Sequence, residues 1–436
     1  MENKTTNAGL TRREFIKVSS AATLAAAIPA SGLLYGAESG RIRVGMIGCG
    51  GRGTGAAIDC VEASSDVVIA AMGDLFGDHL EQSYNRLKEK LPKSNLSVTK
   101  DTMFKGFDAF KHVLASDIDM VIMASPPHFR PRHLKAAVEA GKHIFMEKPV
   151  AVDPAGIRSV IASAELAKKK NLSIVAGTQR RHQEHYLEVL KRVHNGDIGD
   201  IVAGQCYWNM GALWIQAAMT NWVGYKTQKW SDMEWQIRNW LFNTWLSGDH
   251  IVEQHVHNLD VINWAIGSHP VKCAGMGGRQ VRTEPQYGNI FDHFAVEYEY
   301  PNGARIMSMC RQIPGCSDNV SERVIGTKGT AFTSGGEGLI KGEVPYKHET
   351  DSPNPYVQEH ADLIAGIKSG RPLNEGRQVA ESTLTAIMGR MSAYTGRALN
   401  WDWVMNASKL DLTPPAYEFG DLPLAPVAIP GETPLV

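Results

Sequence analysis

Residues 41–55 read RIRVGMIGCGGRGTG. The apolar run over 42–47 has the length and residue types of a buried strand. It passes directly into Gly48-Cys49-Gly50-Gly51-Arg52-Gly53, a G-x-G-x-x-G loop. Gly48 permits a tight turn, Gly50 lets the backbone approach a pyrophosphate, and Gly53 allows a helix to pack closely on the strand. A helix over 54–63 aims its free N–H groups and the positive end of its dipole at bound phosphates. A second apolar run, 67–72, leads to Asp74. An acidic side chain about 20 residues beyond the glycines can accept both ribose hydroxyls of an adenosine. Because a carboxylate repels a 2′-phosphate, the pattern predicts NAD rather than NADP.

Outward from this stretch, strands and helices alternate. A polar helix is predicted over 78–90, a short strand over 105–107, a helix over 108–114, a buried strand over 119–124, a helix over 131–140 and a strand over 143–146. Strands alternating with helices make a doubly wound parallel sheet, and ligands of such sheets lie beyond the carboxyl ends of the strands. That rule brings Ser125, Pro126 and His128 to the cleft after one strand, and Glu147 and Lys148 after another. With the loop residues Gly48, Gly50, Gly51, Arg52 and Gly53 and with Asp74, they form the expected cofactor-binding set. A lysine at a strand end beside a nicotinamide can hydrogen-bond a substrate hydroxyl and ease its deprotonation, which makes Lys148 a candidate catalytic residue. In isolation, an ion pair with Glu147 or another acid explains the same lysine.

Upstream, Arg12-Arg13 is followed by Phe15-Ile16 and an Ala-rich apolar run over 18–34. The run is too short and too weakly apolar for a membrane span and matches a twin-arginine export signal, an address rather than an anchor, over 1–37. The expectation is a periplasmic or extracellular protein. A chain of 436 residues supports two domains beyond the signal. A net charge of −1 with no basic block beyond the signal argues against nucleic acid as partner. The six cysteines, at 49, 60, 206, 273, 310 and 316, show no C-x-x-C and fit buried thiols, although an exported protein could pair some.

The glycine loop, Ser125-Pro126-Pro127-His128, A-G-K-H-I-F-M-E-K-P at 140–149, G-T-Q-R-R-H at 177–182, N-G-D-I-G-D-I-V at 195–202 and V-I-G-T-K-G-T at 324–330 together resemble the Gfo/Idh/MocA family, which includes glucose–fructose oxidoreductase and inositol dehydrogenase. The resemblance covers most of residues 41–405. It implies an N-terminal Rossmann domain (41–170) followed by an α/β domain (171–405) with a large, mostly antiparallel sheet, one face of which lines the active site, in a homo-oligomer. It also implies that Glu253 and His257 stand where the family places an Asp and a His on a helix facing the nicotinamide. One helical turn apart, they would share a face. His257 then acts as general base with Lys148 as hydrogen-bond partner, and Glu253 orients the pair. Glu replaces the family's Asp, and His255 replaces its Gly. A rival reading is a metal site of His250, Glu253 and His257, at i, i+3 and i+7 on one helix face.

Seven of the ten tryptophans fall within 208–245. Their spacing fits neither one helix face nor one strand face, so the region reads as an insertion with aromatic rings over a cleft. Sugars stack their C–H faces on indole rings, and a sugar or glycoside is the expected small-molecule ligand. Arg181, Tyr207, Asn209, Arg238 and Trp240 are the candidate substrate-binding residues, Tyr207 and Asn209 by strand alternation. A helix over 375–394 should pack on the first domain. The proline-rich stretch 406–436 reads as an extended arm of the kind that wraps a neighbouring subunit.

Export leaves no free nicotinamide pool to draw on, so the cofactor should be held tightly and reset within one site. Three functions satisfy these readings: an oxidoreductase acting on a sugar hydroxyl, an NAD-dependent glycosidase that oxidises, eliminates, hydrates and reduces back, and a non-catalytic saccharide-binding protein.

Overall fold

In the computed structural model, residues 40–211, 230–350 and 352–436 are described. The expected export signal, Trp214 and Trp222 lie outside them. The described chain belongs to the unit Arg41–Val436.

β1 (Ile42–Ile47), β2 (Val67–Asp74), β3 (Met103–Lys105), β4 (Met120–Met123), β5 (His143–Met146) and β6 (Ile174–Ala176) form an all-parallel sheet of order β3-β2-β1-β4-β5-β6. Every residue of β4 is fully buried, with Met120 and Ile122 facing one core and Val121 and Met123 the other. A sheet covered on both faces requires such continuous apolar strands. The covering helices include α1 (Gly51–Ala63), α2 (Gly77–Lys90), α3 (Ala109–Ala115), α4 (Arg130–Glu139) and α5 (Pro154–Lys169). β6 extends this sheet past the boundary expected at residue 170.

The sequence order β3-β2-β1-β4 reverses direction between β1 and β4, and the crevice opens at that switch point. The turn after β1 is packed tightly. Gly48 has φ +95°, and a Cβ there would lie 2.4 Å from the Ser125 nitrogen. A Cβ on Gly53 would lie 2.0 Å from the Gly48 oxygen, so only glycine brings α1 this close to β1.

The second domain adds α6 (Glu184–His194), β7 (Ile201–Met210), α7 (Asp232–Arg238), α8 (Thr244–Ser247), α9 (His250–Glu253) and α10 (Val256–Ile266). β8 (Lys272–Gly278), β9 (His293–Glu299), β10 (Arg305–Gln312), β11 (Asn319–Gly326), β12 (Gly329–Ser334), β13 (Gly338–Gly342) and β14 (Tyr346–Lys347) follow, then α11 (Pro355–Lys368), α12 (Gly376–Thr395), β15 (Leu399–Asn400) and α13 (Trp401–Asn406). The sheet order is β14-β13-β12-β11-β7-β10-β9-β8-β15, antiparallel except where β7 and β10 pair in parallel. β10 alternates exposed and buried residues, as a strand with one covered face must. On the uncovered face Met276 is 76% exposed, with Met307 and Met309 partly so. α12 packs against both α5 and β8, and α11 returns to the first domain, where Leu363, Ile364 and Ile367 complete its core.

The C-terminal arm makes contacts with its own chain. The Leu412 N–H donates to Asp153 at 2.8 Å, the Ser408 hydroxyl donates to the Val436 carbonyl at 2.7 Å, and Val427, Ala428 and Leu435 pack on the main core. The prolines keep the arm extended, and its spaced apolar residues find grooves on the same molecule. All six cysteines are free, five buried and Cys316 exposed. Among the described residues no helix is long and apolar enough to cross a membrane.

His182, at the junction of the domains, stands 2.6 Å from the Asp362 carboxylate and 3.4 Å from Glu375. Burial opposes its charge, but the two carboxylates raise its pKa from 6.5 to about 9. The folded state therefore holds a proton that the unfolded chain releases near 6.5, so the stabilisation is complete below that pH and is lost as pH rises through about 9. The melting-temperature deficit of His182→Gln should be largest at pH 6 and shrink towards pH 10. A deficit independent of pH would contradict the charged assignment.

Candidate active site

The cleft starts at the turn after β1. A Cβ on Gly50 or Gly51 would meet nothing within 4 Å, in contrast to Gly48 and Gly53. The loop is thus filled on its protein side and clear on its cleft side, which is the shape a pyrophosphate needs. α1 begins at Gly51, with Gly50 as its N-cap, so the helix end faces this space three residues earlier than expected. The Asp74 carboxylate, at the end of β2, accepts the Cys49 N–H at 2.6 Å and the Phe76 N–H at 2.9 Å and stands 3.4 Å from His79, whose pKa it raises. A carboxylate has about four acceptor sites, so Asp74 keeps capacity for ribose hydroxyls. The cleft of about 680 Å³ is lined by the glycine loop, Asp74, Ser125, Pro126 and His133, and it fits NAD.

Glu147 and Lys148 follow β5 and, although expected in the cofactor-binding set, are not among the residues that line this cleft. The Lys148 ammonium donates to the Glu253 carbonyl at 2.5 Å and to its carboxylate at 3.1 Å, with both side chains at least nine-tenths buried. The Glu253 carboxylate also accepts from the Gln254 amide. Asp249 sets this turn. It holds φ +72°, which an L residue adopts at a cost, and is fixed there by accepting from His250 N–H at 2.6 Å, Phe291 N–H at 2.8 Å and the Tyr394 hydroxyl at 2.5 Å.

The segment is not one helix. α9 ends at Glu253 and α10 begins at Val256, and the break at Gln254 and His255 separates Glu253 from the helix that carries His257. At the break the His255 ring is fully buried against Ser308 at 2.7 Å, Cys206 at 3.7 Å and Asn258 at 3.3 Å. His257 is buried and forms no side-chain hydrogen bond among the described residues; its ring lies parallel to Trp208, centroids 5.8 Å apart at 22°. Burial, with Lys148, Arg180 and Arg52 nearby, pushes its pKa well below 6.5, so the imidazole is neutral with a free lone pair. His250 faces away, towards Asp249 at 3.1 Å and Phe294 at 5.2 Å. The proposed ligand triad is therefore not assembled, and among the described residues no group of three His, Cys, Asp or Glu could hold a metal.

Several expected site residues lie elsewhere. Cys206 reaches His255 and Trp208 reaches His257, so the even-numbered side chains of β7 face the site. Tyr207 and Asn209 belong to the opposite face, because successive strand side chains alternate. Arg181 is spent in a two-point pair with Asp260 at 2.8 and 2.9 Å, stacked on Trp264. His128 is buried, 2.9 Å from the Tyr417 hydroxyl and edge-on to Trp245; burial lowers its pKa to about 4, and it does not line the cleft. Arg238 and Trp240 line the Asp74 end rather than the Lys148 end. Arg52 does not point freely at phosphate: it binds the carboxylates of Glu147, Asp59 (3.1 Å) and Glu359 (3.2 Å) beneath Tyr356.

Residues outside the expected set complete the site. Arg180 bonds Glu322 at 2.6 Å, and its guanidinium lies 5.7 Å from the Trp208 ring. Glu322 is buried and also accepts from Asn258 at 2.5 Å and Thr333 at 2.6 Å, which fixes Arg180 in place. Arg130 is buried below the Lys148 turn and bonds the Met123 carbonyl at 2.9 Å; burial lowers its pKa to about 10, with Glu147 and Glu253 opposing that shift. Both adjacent arginines are ion-paired, and what separates them is that Arg180 lies against Trp208 while Arg181 lies against Trp264.

Comparison with known proteins follows the same division. A profile described as an oxidoreductase family with an NAD-binding Rossmann fold matches residues 42–177, and one for the GFO/IDH/MocA C-terminal domain matches 186–332. Inositol 2-dehydrogenase of Klebsiella pneumoniae (strain 342) is 28% identical over 165 residues, 38% of this chain and 45% of that protein. A glycosyl hydrolase family 109 protein of Streptomyces coelicolor is 27% identical over 165 residues, 37% of this chain and 33% of that one. The chain thus spans less than half the length of these curated relatives. The structure of a levoglucosan dehydrogenase in complex with NADH and levoglucosan superposes with a TM-score of 0.65 at 16% identity, covering 83% of this chain and 99% of the other, a likeness of fold. With both halves matched, the chain belongs to the Gfo/Idh/MocA oxidoreductase family and carries its NAD-binding Rossmann domain.

Proposed function

We propose that this protein is an exported oxidoreductase that acts on a hydroxyl of a sugar or glycoside, with NAD held and reset within one site. The observation that carries the reading is the convergence of Lys148, neutral His257 and the Trp208 indole at the carboxyl edge of an NAD-type Rossmann sheet. NAD bound there supplies hydride acceptance from a carbon that bears a hydroxyl. The protein's residues handle the proton and the pose. An ammonium has three N–H donors; Lys148 spends two on Glu253 and keeps one for the substrate oxygen. His257, neutral and without another partner, accepts the hydroxyl proton. Trp208, stacked on His257 and under Arg180, places its indole beside both groups, where it would pack against a sugar ring.

Sugar or polyol chemistry also agrees with relatives named as inositol dehydrogenase and with a fold shared with a levoglucosan dehydrogenase. The likeness to a glycosyl hydrolase family 109 protein favours a second reading, in which the oxidation is transient and the glycosidic bond is what breaks. Outside the cytoplasm a cofactor that left after each cycle would end activity, so its dissociation constant should be on the order of nanomolar, about −12 kcal/mol.

Adding a panel of sugars and glycosides to the cofactor-loaded protein while following absorbance at 340 nm tests the reading. A lasting change is expected for net oxidation, and a transient one with release of the aglycone for hydrolysis. No change with any saccharide would remove both. Lys148→Ala and His257→Ala should each lower kcat by about 10²–10⁴ while NAD stays bound; undiminished turnover would contradict the proton-transfer roles. Trp208→Ala should raise KM about tenfold or more, whereas Tyr207→Phe, on the other face of β7, should leave KM within about twofold; the reverse ranking would refute the assigned face. Export is tested by Arg12→Lys with Arg13→Lys, which should retain the protein in the cytoplasm on cell fractionation; unchanged export would contradict the twin-arginine route.

A further inference from the structure

The cleft at Asp74 has one wall that the Rossmann domain does not make. Residues 237–241 of the second domain line it directly, opposite Asp74, His79 and Arg86. Arg238, at the end of α7, crosses the gap. Its guanidinium contacts the Asp78 carboxylate at 3.0 and 3.3 Å, bonds Glu234 at 3.0 Å, and lies 3.8 Å above the Phe76 ring and 4.9 Å from Trp230.

The C-terminal arm covers this crossing from behind. Phe419 stacks on Phe76 at 6.1 Å and packs on Phe107 at 5.3 Å. The Met233 N–H donates to the Gly420 carbonyl at 3.2 Å, the Leu422 N–H to the Asp232 carboxylate at 3.2 Å, and the Gln236 amide to the Leu422 carbonyl at 2.5 Å. Tyr417 bonds His128 and lies under Arg132 at 4.8 Å. Phe76 and Phe107 of the first domain, Met233 and Ile237 of the second, and Tyr417 and Leu422 of the arm form one apolar cluster.

We propose that these three segments form a clasp over the adenosine half of the dinucleotide site, with Arg238–Asp78 as the latch, so that NAD exchanges only when the latch opens and the arm lifts. The proposal rests on the reading of a retained cofactor and assigns the residues that retain it. The latch is partly exposed, with side chains 20% and 49% accessible, so it contributes little to stability and responds to salt. The aromatic cluster supplies the hold. Nothing in this assembly is needed to fold the Rossmann sheet, whose own cores lie beneath it.

The test is the dissociation rate of NADH from the full-length protein, read by loss of its fluorescence after mixing with excess NAD. Phe419→Ala, at a side chain about half exposed, should speed release about tenfold or more. Raising salt should speed release from the wild type but not from Arg238→Gln, whose release should already be fast. Wild-type protein that holds NADH while both folded variants release it within about twofold of the same rate would overturn the clasp and leave the retained-cofactor reading standing. Wild-type protein that loses NADH within seconds would overturn both.

Discussion

The pairing of Lys148 with Glu253 is the constraint on which the site depends. It joins the strand end after β5 to the last residue of α9, 105 residues later, and so joins the two domains at the point where chemistry is expected. Burying either charge alone would cost several kcal/mol. Buried together, with the ammonium bonded to both the carbonyl and the carboxylate of one residue, they fix the distance between the Rossmann sheet and the helix that carries His257. Asp249, held by three hydrogen bonds at the start of α9, fixes the Glu253 side of that pair. Removing one partner of such a pair leaves an uncompensated charge, a loss of about 3–5 kcal/mol.

Two groups of residues flank this pair. On one side stand the Trp208 indole, the neutral His257 imidazole and the fixed Arg180 guanidinium. On the other, the cleft at Asp74 is lined by the glycine loop, the end of β2 and residues 237–241 of the second domain. The second domain therefore touches both ends of the cofactor site. A cofactor bound between the domains would bridge the contacts that hold them together, so binding and domain stability are coupled.

Much of the fold was legible before any coordinates. The glycine loop, the spacing to Asp74 and the continuous apolar strands each reflect a local requirement, and local requirements are written in short stretches. The resemblance carried the second sheet. What misled was geometry set by tertiary packing. Alternation along β7 is written in its sequence, but which face meets His257 is set by the contact of Trp208 with a residue 49 positions away. The spacing of His250, Glu253 and His257 predicts one helix, and the chain instead interrupts it at Gln254 and His255. Arg181 and Arg238 pair with Asp260 and Asp78, acids 79 and 160 residues away whose proximity no local pattern displays. The arm's prolines announced an extended chain, but which molecule it would lie on depended on grooves that no linear pattern displays.

The most direct test is a crystal structure of the wild-type protein holding NADH, which cannot accept hydride, and a saccharide substrate. The account predicts the sugar's C–H face against Trp208 and one ring hydroxyl within hydrogen-bond distance of a His257 ring nitrogen. A saccharide seated on the Tyr207 and Asn209 face, or away from His257, would contradict it.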